Sequence, residues 1–504
     1  MKGHYYISSF LWSTISKVLN ALLGFITVPL LLGYFGKAEY GILTLATACN
    51  GYMQLLDLGM NTGAVKFFSQ WRAQGKTDML NRVAHTNITF YILVALVNAL
   101  LLVAIGLWGE GLFNITHSQF LQLRICLFII ALFSVLSWSA AAFNQLLVAC
   151  QRIDFTMQML CLQTLLKAVL VALVFIADLT LTEYFFWLTL VVAVLAVPYA
   201  VKCRSAGLID NLKPGHAWKD FRVVISFSLA IFALSLFQMT ATQSRVIVLG
   251  IVSDDAASIA ADFKILEVIP KFIIMLSGSF TAIFLPRASE LVAGRDQAGM
   301  GVFAYKWTRL TSILSNVMCI PFIFAASEAL SAYVGVENSY LSQWLVLWCL
   351  TVLVQIHTTP GNSLVLAYGK TKVLVIVTAA ACVLSIAINV VLYRRFGVGS
   401  AIIGYFVYVL ILIGLHYLYF YRKLLNLSRR KMFSAFFWPT FLAFLVLFCV
   451  HFIGIDISLF PGMKPRWAYL SVCVIKSFVW FVPYVLLLLL TRVLDIDIFK
   501  QALR

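Results

Sequence analysis

A chain of 504 residues that is 62% hydrophobic and only 11% charged, with a mean hydropathy of +0.96, is excluded from the soluble globular class. It reads as an integral membrane protein with little room for a soluble domain. The net charge of +17 would raise nucleic-acid binding in a soluble protein; here the cations sort by topology, and no nucleic-acid partner is expected.

The opening MKGHYYISSF runs straight into a full-length apolar window, without the short core and small-residue cleavage site of a secretory signal, so the first span is expected to stay in the mature protein. Windows of about 20 residues predict helices near 10–33, 40–65, 84–107, 121–149, 156–177, 183–201, 223–251, 257–285, 308–327, 341–367, 373–393, 399–420, 433–454 and 467–490. An all-α membrane protein of about fourteen transmembrane helices follows, with both termini on one side. If that side is cytoplasmic, its segments hold twenty-five Lys and Arg, among them Lys2, Lys370, Lys500 and Arg504, against five on the other. The positive-inside rule therefore places both ends in the cytoplasm. Ten cysteines show no metal-ligand spacing, and all but Cys203 fall in or beside apolar windows, where they read as small core residues; no metal is expected.

The segment 202–222, which contains Pro214, Gly207 and Gly215, divides the first twelve windows six and six. The expected organisation is an N-terminal six-helix lobe over 1–202, a cytoplasmic linker over 203–222, a C-terminal six-helix lobe over 223–421, and two additional helices over 422–504. The two halves look faintly alike: LLLGYFGKAEYGILTLATA can be laid beside IVLGIVSDDAASIAADFKI, with Gly33 over Gly250. Pseudo-repeats of this size are a transporter signature.

The eighth window carries Asp262, Lys264, Glu267 and Lys271, and the spacing of the last three places them on one helical face. Charge at mid-bilayer is costly, so such a face is expected to meet a partner or a water-filled cavity. Other charges more than two residues inside the windows are Lys17, Asp57, Arg124, Lys167, Arg245 and Lys476. The balance of seven cations to three acids suits an anion better than a cationic drug. Lys167 sits near mid-span, whereas Arg124 and Arg245 lie close enough to span ends for snorkelling to compete with a lumen position. Lys17 and Asp57, on consecutive spans at similar depth, are expected to pair. Lys476, on the fourteenth span, is left outside the site as a structural or lipid-facing residue. His85 and His357 are candidates for proton traffic, with a simple hydrogen-bonded histidine as the commoner alternative.

Residues 29–74, PLLLGYFGKAEYGILTLATACNGYMQLLDLGMNTGAVKFFSQWRAQ, and 361–405, GNSLVLAYGKTKVLVIVTAAACVLSIAINVVLYRRFGVGSAIIGY, carry a family resemblance. In the first, a span ends in a short Gly-flanked loop with Glu-Tyr-Gly, and the next ends in Leu-Asp-Leu-Gly. The second has a Gly-Lys-Thr-Lys turn, an Asn-bearing helix and Gly-x-Gly-x-Ala opening the next helix. The chain resembles Wzx-type O-antigen and polysaccharide-repeat-unit flippases of the multidrug/oligosaccharidyl-lipid/polysaccharide (MOP) exporter superfamily. That resemblance implies two pseudo-repeated six-helix lobes around a central cavity, two C-terminal helices, and a bacterial inner-membrane location. It also implies movement of undecaprenyl-pyrophosphate-linked oligosaccharide from the cytoplasmic to the periplasmic leaflet, not enzymatic turnover.

On this reading Lys264, Lys271, Arg245, Lys167, Lys17 and Arg124 form a cationic lumen for the substrate. Glu267, Asp57, Asp262, His85 and His357 are the coupling or charge-pair candidates. No cofactor is expected beyond coupling to protons or sodium ions. Expected partners are the lipid-linked substrate, membrane lipids, a polysaccharide polymerase and a chain-length regulator. A lipid-linked peptidoglycan-precursor flippase and a cation-coupled drug antiporter remain alternatives; the antiporter is disfavoured by a first span whose polar residues (Ser13, Thr14, Ser16, Lys17, Asn20) include no carboxylate. A membrane glycosyltransferase or polymerase is disfavoured by loops of only about 20 residues.

Overall fold

The structure is a computed structural model that describes residues 2–150, 152–369 and 372–493; within these, the side chains of 2–11, 13–14, 73, 230–231, 233–235, 238, 278–283, 285–286, 289 and 293 lie outside the description. Of the residues singled out above, Lys370, Lys500 and Arg504 and the side chains of Lys2, Ser13 and Thr14 therefore fall outside the described residues. Among the described residues seventeen α-helices run in chain order: α1 Lys2–Met53, α2 Met60–Ala73, α3 Thr77–Trp108, α4 His117–Ala149, α5 Ile153–Ile176, α6 Leu181–Ala193, α7 Ala196–Ser205, α8 Trp218–Val252, α9 Ala256–Ala293, α10 Gln297–Phe324, α11 Ala326–Val334, α12 Ser342–Ile356, α13 Thr359–Tyr368, α14 Lys372–Phe396, α15 Gly399–Leu415, α16 Arg429–His451 and α17 Pro465–Leu490. A π-helical segment, His416–Leu424, extends α15. Eleven helical segments among the described residues are long and apolar enough to cross a membrane, and the chain is a multi-pass membrane protein. Each of the fourteen predicted windows falls mainly on helix, with α1 and α2 sharing the second, α6 and α7 the sixth, α10 and α11 the ninth and α12 and α13 the tenth.

Helix ends follow local chemistry. Thr116 and Thr180 each close a capping box, with Gln119 and Glu183 three residues on, which starts α4 and α6 where the chain leaves a polar connection. The Gly-flanked loop expected between the first two spans is a correction. Helix runs on both sides of it, and only Gly36, at φ 76, breaks α1. The low cost of positive φ at glycine lets one residue do the work of a loop. Gly33 and Gly250, the pair aligned in the two halves, lie three residues before this break and before the extended Ser253 cap of α8 respectively.

The chain divides into two compact units, Met1–Ala261 and Asp262–Arg504, with α9 passing from one to the other. In the first, α3 lies along α4, and α1 packs on α4, α5 and α8. Its core gathers Phe68, Trp71, Tyr91, Phe143, Leu146, Tyr199 and Phe221. Segment 203–222 is tied to α3. Gly215 N–H donates to His85 O at 3.0 Å, Ala217 N–H to Thr86 Oγ1 at 2.9 Å, and Arg82 pairs with Asp220 at 3.3 Å. Cys203, the cysteine outside the apolar windows, is nevertheless buried in α7, where its thiol donates to Phe143 O at 3.5 Å. In the second unit, α14 pairs with α15, α10 packs on α12 and α16, and α11 lies against α17.

Candidate functional site

The second span organises the first unit. Thr47, Asn50, Gln54, Asp57 and Asn61 recur at spacings of three and four, so a helix through them presents one polar row. The helix does not survive to its expected end at 65. A 3-10 turn, Gln54–Asp57, is followed by Leu58 (φ 51) and Gly59 (φ 73) in the left-handed region, after which α2 begins. Gly59 is required there, because a Cβ would also stand 2.6 Å from Ser228 O. A break exposes backbone N–H groups that need acceptors, and Asp57 supplies one, accepting from Asn61 N–H at 3.1 Å.

The other Asp57 oxygen accepts from the Tyr91 hydroxyl. Tyr91 in turn accepts from Gln145 Nε2, and Gln145 Oε1 accepts from Asn87 Nδ2 at 3.0 Å. Tyr91, Gln145 and Asn87 are all buried. Every donor along this line points toward Asp57, the arrangement that a carboxylate, which can only accept, favours. The line couples the break in the second span to α3 and α4.

The polar row opens on a cavity of about 550 Å3 within the first unit, lined by Thr47, Asn50, Gln54, Asp57, Asn61, Asn98, Ser134, Ser137, Trp138, Asn144, Lys167 and Thr189 together with apolar residues of α6. Its size is that of a small-molecule site. Nine of its lining residues carry amides or hydroxyls, Trp138 offers an aromatic face and stacks on Tyr91 at 6.1 Å, and Asp57 and Lys167 bring one charge of each sign. Discontinuous helices lining an intramembrane cavity are how transporters place polar backbone and side chains where lipid would forbid them.

Of the sequence-predicted residues, Asp57 and Lys167 meet this cavity. The expected Lys17–Asp57 pair is corrected: Asp57 is held by Tyr91 and Asn61, while Lys17 is exposed and makes no ion pair with it. Arg124 is half-buried beside Gly106, its stem 3.3 Å from where a Cβ on that glycine would sit. Arg245 is buried and donates from Nε to Ala241 O at 3.0 Å. His85 pins the 203–222 segment, its Nδ1 2.7 Å from Lys213 O.

The second unit holds the charged face of α9. Glu267 lies between Lys264 Nζ at 2.8 Å and Lys271 Nζ at 3.4 Å, which confirms the shared face and makes the glutamate counter-ion to both lysines. Lys271 is the outermost, 64% exposed against 30% for Lys264. Asp262 is on another face, buried, and accepts from the Tyr340 hydroxyl at 2.7 Å. His357 is a core residue stacked on Phe436 at 4.1 Å, with Nδ1 2.5 Å from Val354 O and Nε2 3.2 Å from the Tyr417 hydroxyl. Lys476 is inward, not lipid-facing: it is 14% exposed and pairs with Glu328 at 2.5 Å.

Sequence reasoning that weighed only ionisable side chains passed over Asn50, Gln54, Asn98, Ser134, Ser137 and Asn144. The signal was present: 47, 50, 54, 57 and 61 on one span and 134, 137, 141 and 144 on another keep the period of a single helical face. Tyr91, Gln145 and Asn87 have no such mark, because their relation exists only across three elements.

The profile of the family described as "Polysaccharide biosynthesis protein" matches residues 7–292. Comparison with curated proteins returned no match. Among solved structures, the lipid II flippase MurJ in an inward closed conformation superposes with a TM-score of 0.68 at 13% identity, over 95% of this chain and 99% of that one. An inward-facing multidrug resistance MATE family transporter of the MOP superfamily gives 0.65 at 13% identity, over 85% and 98%. The Vibrio cholerae MATE transporter VcmN in its bent form gives 0.54 at 14% identity, over 86% and 99%. The fold is that of MOP-superfamily transporters and flippases.

Proposed function

The chain belongs to the polysaccharide biosynthesis protein family, and from that premise we propose that it is a flippase for a lipid-linked oligosaccharide. The cargo is an O-antigen or related surface-polysaccharide repeat unit on undecaprenyl pyrophosphate, moved from the cytoplasmic to the periplasmic leaflet of the inner membrane by alternating access. Both termini lie in the cytoplasm, and the protein hands its cargo to a polymerase under a chain-length regulator.

The observation that carries this reading is the cavity of the first unit, rich in neutral amides and hydroxyls, with Trp138 and Lys167 in its wall. Sugar hydroxyls need many neutral donors and acceptors, an aromatic face suits the apolar side of a pyranose, and a lysine offers a charge-assisted hydrogen bond to phosphate. The α9 lysines extend the cationic character in the second unit, with their shared glutamate moderating it so that cargo is released. Asp57, at the helix break, is the proposed site of proton or sodium coupling.

A deletion strain should accumulate the full-length lipid-linked repeat unit on the cytoplasmic face, and Lys167→Ala should restore surface polysaccharide poorly at normal protein level. Accumulation of a peptidoglycan precursor instead would favour the second reading, to which the fold shared with MurJ gives support. Drug hypersensitivity with no accumulated lipid-linked sugar would point to the antiporter.

A further inference from the structure

We propose that the N-terminal end of α16 is a binding site for an anionic phospholipid of the surrounding bilayer, its phosphate held by Arg309, Arg430 and Lys431 and its chain lying along Phe437 and Phe441. A cavity of about 420 Å3 opens there between α10 and α16, lined by Tyr305, Arg309, Arg430, Lys431, Ser434 and Ala435. Its walls are fixed in place: Ser428 N–H donates to the Tyr305 hydroxyl at 3.0 Å, Gln297 Nε2 donates to Leu425 O at 2.6 Å, and Ser428 caps α16 through Lys431 N–H.

The electrostatics of this end are unfavourable without an anion. A helix N-terminus carries partial positive charge and prefers acids in its first turn. The first turn of α16 has no acid and carries Arg429, Arg430 and Lys431 instead. Among the described residues, none of Arg309, Arg430 and Lys431 forms an ion pair with a carboxylate. Lys431 reaches the Tyr305 ring at 5.8 Å, a cation–π contact that brings no opposite charge. A phosphate in the cavity would meet three cations, the Ser434 and Tyr305 hydroxyls, and the helix end together.

The apolar half of the site selects a lipid. Positions 430, 434, 437 and 441 share one face of α16. Along it, Phe433 stacks on Phe437 at 5.4 Å and Phe437 on Phe441 at 5.6 Å, and all three rings are exposed. A basic head site continuous with an exposed aromatic ladder matches an amphiphile with an anionic head, and basic pockets between membrane helices are where such heads bind. The site is separate from the cavity proposed for transport, so its test leaves that reading untouched.

The full chain, purified in detergent, would be titrated with dioleoylphosphatidylglycerol and with zwitterionic dioleoylphosphatidylethanolamine by native mass spectrometry. The anionic lipid should bind tenfold or more tightly, and each of Arg309→Gln, Arg430→Gln and Lys431→Gln should weaken it about fivefold, from about one charge contact apiece. Arg430→Lys should keep most of the affinity, which separates loss of charge from loss of fold. Phe437→Ala with Phe441→Ala should weaken the lipid while leaving binding of inorganic phosphate unchanged. Equal affinity for the two lipids, an unaffected Arg430→Gln variant, or displacement of the lipid by inorganic phosphate at equal concentration would overturn the proposal.

Discussion

Asp57 shows how one residue can tie covalent geometry to transport chemistry. Its two oxygens are shared between a backbone N–H freed by the helix break and the hydroxyl of Tyr91, so any change in its protonation must be felt by both. Tyr91→Phe removes the donor that joins Asp57 to Gln145 and leaves a buried amide short of a partner, at a cost of about 1–3 kcal/mol. The variant should unfold at lower temperature in detergent and, if Asp57 couples transport to a gradient, flip cargo with an altered response to imposed pH or sodium gradients. Asp57→Asn with an unchanged gradient response would remove Asp57 from that role. On α9, Lys271 is exposed and shares Glu267 with Lys264, so charge sign should matter more than the side chain itself. Lys271→Arg should largely preserve surface polysaccharide in a complementation assay, Lys271→Ala should reduce it, and Lys271→Glu should abolish it. Normal polysaccharide from Lys271→Glu and Lys264→Glu alike would take this face out of substrate binding.

At the scale of elements, close helix approach rests on a few glycines. A Cβ on Gly41 of α1 would stand 1.8 Å from the carbonyl oxygen of Ala257 at the start of α9. Gly33, one break earlier in the same helix, has nothing within 4 Å of the same position. Small residues let backbones meet in membrane helix packing, so the two positions should respond differently to one added methyl. Gly41→Ala should destabilise by about 1–3 kcal/mol, since backbone must move to admit it, whereas Gly33→Ala should leave the melting temperature unchanged or slightly raised. Equal thermal shifts for the two variants would mean that the α1–α9 approach is not tight. In the second unit, Lys476 and Glu328 clamp α17 to α11. Removing one partner of this part-buried pair, as in Glu328→Ala, should cost about 1–3 kcal/mol, read as a loss of monodisperse protein or a lowered melting temperature.

For the whole molecule, the bias of basic residues makes a topological prediction that is independent of the fold comparison. Reporter fusions after Lys213 and after Arg430 should score cytoplasmic, and a fusion after Asp254 periplasmic. A periplasmic score at Lys213 would invert the assignment of loops around the first unit and with it the proposed direction of transport. The 203–222 segment is bonded to α3 through His85, Thr86 and Arg82, so a fusion within it should avoid Gly215, where a Cβ would stand 2.6 Å from the His85 side chain.

The sequence by itself determined that this is an all-helical membrane protein and that Lys264, Glu267 and Lys271 share a face. Hydrophobicity over 20 residues and the 3.6-residue period are local properties, legible without knowing what any helix packs against. The family likeness was legible too, from motifs such as Leu-Asp-Leu-Gly that lie within single stretches. The partners of the charges were not. Lys17 and Asp57 look paired when depth along two spans is the only coordinate, yet rotation about each helix axis decides who meets whom, and that rotation is set by neighbours far away in sequence. It gave Asp57 to Tyr91, turned Lys476 inward to Glu328, and put His357 in the core against Phe436. The cavity belongs to the same class of fact, since its walls come from α1 to α6 and from α8 and exist only once those helices have packed. Periodicity reports which residues look the same way; only packing decides what they look at.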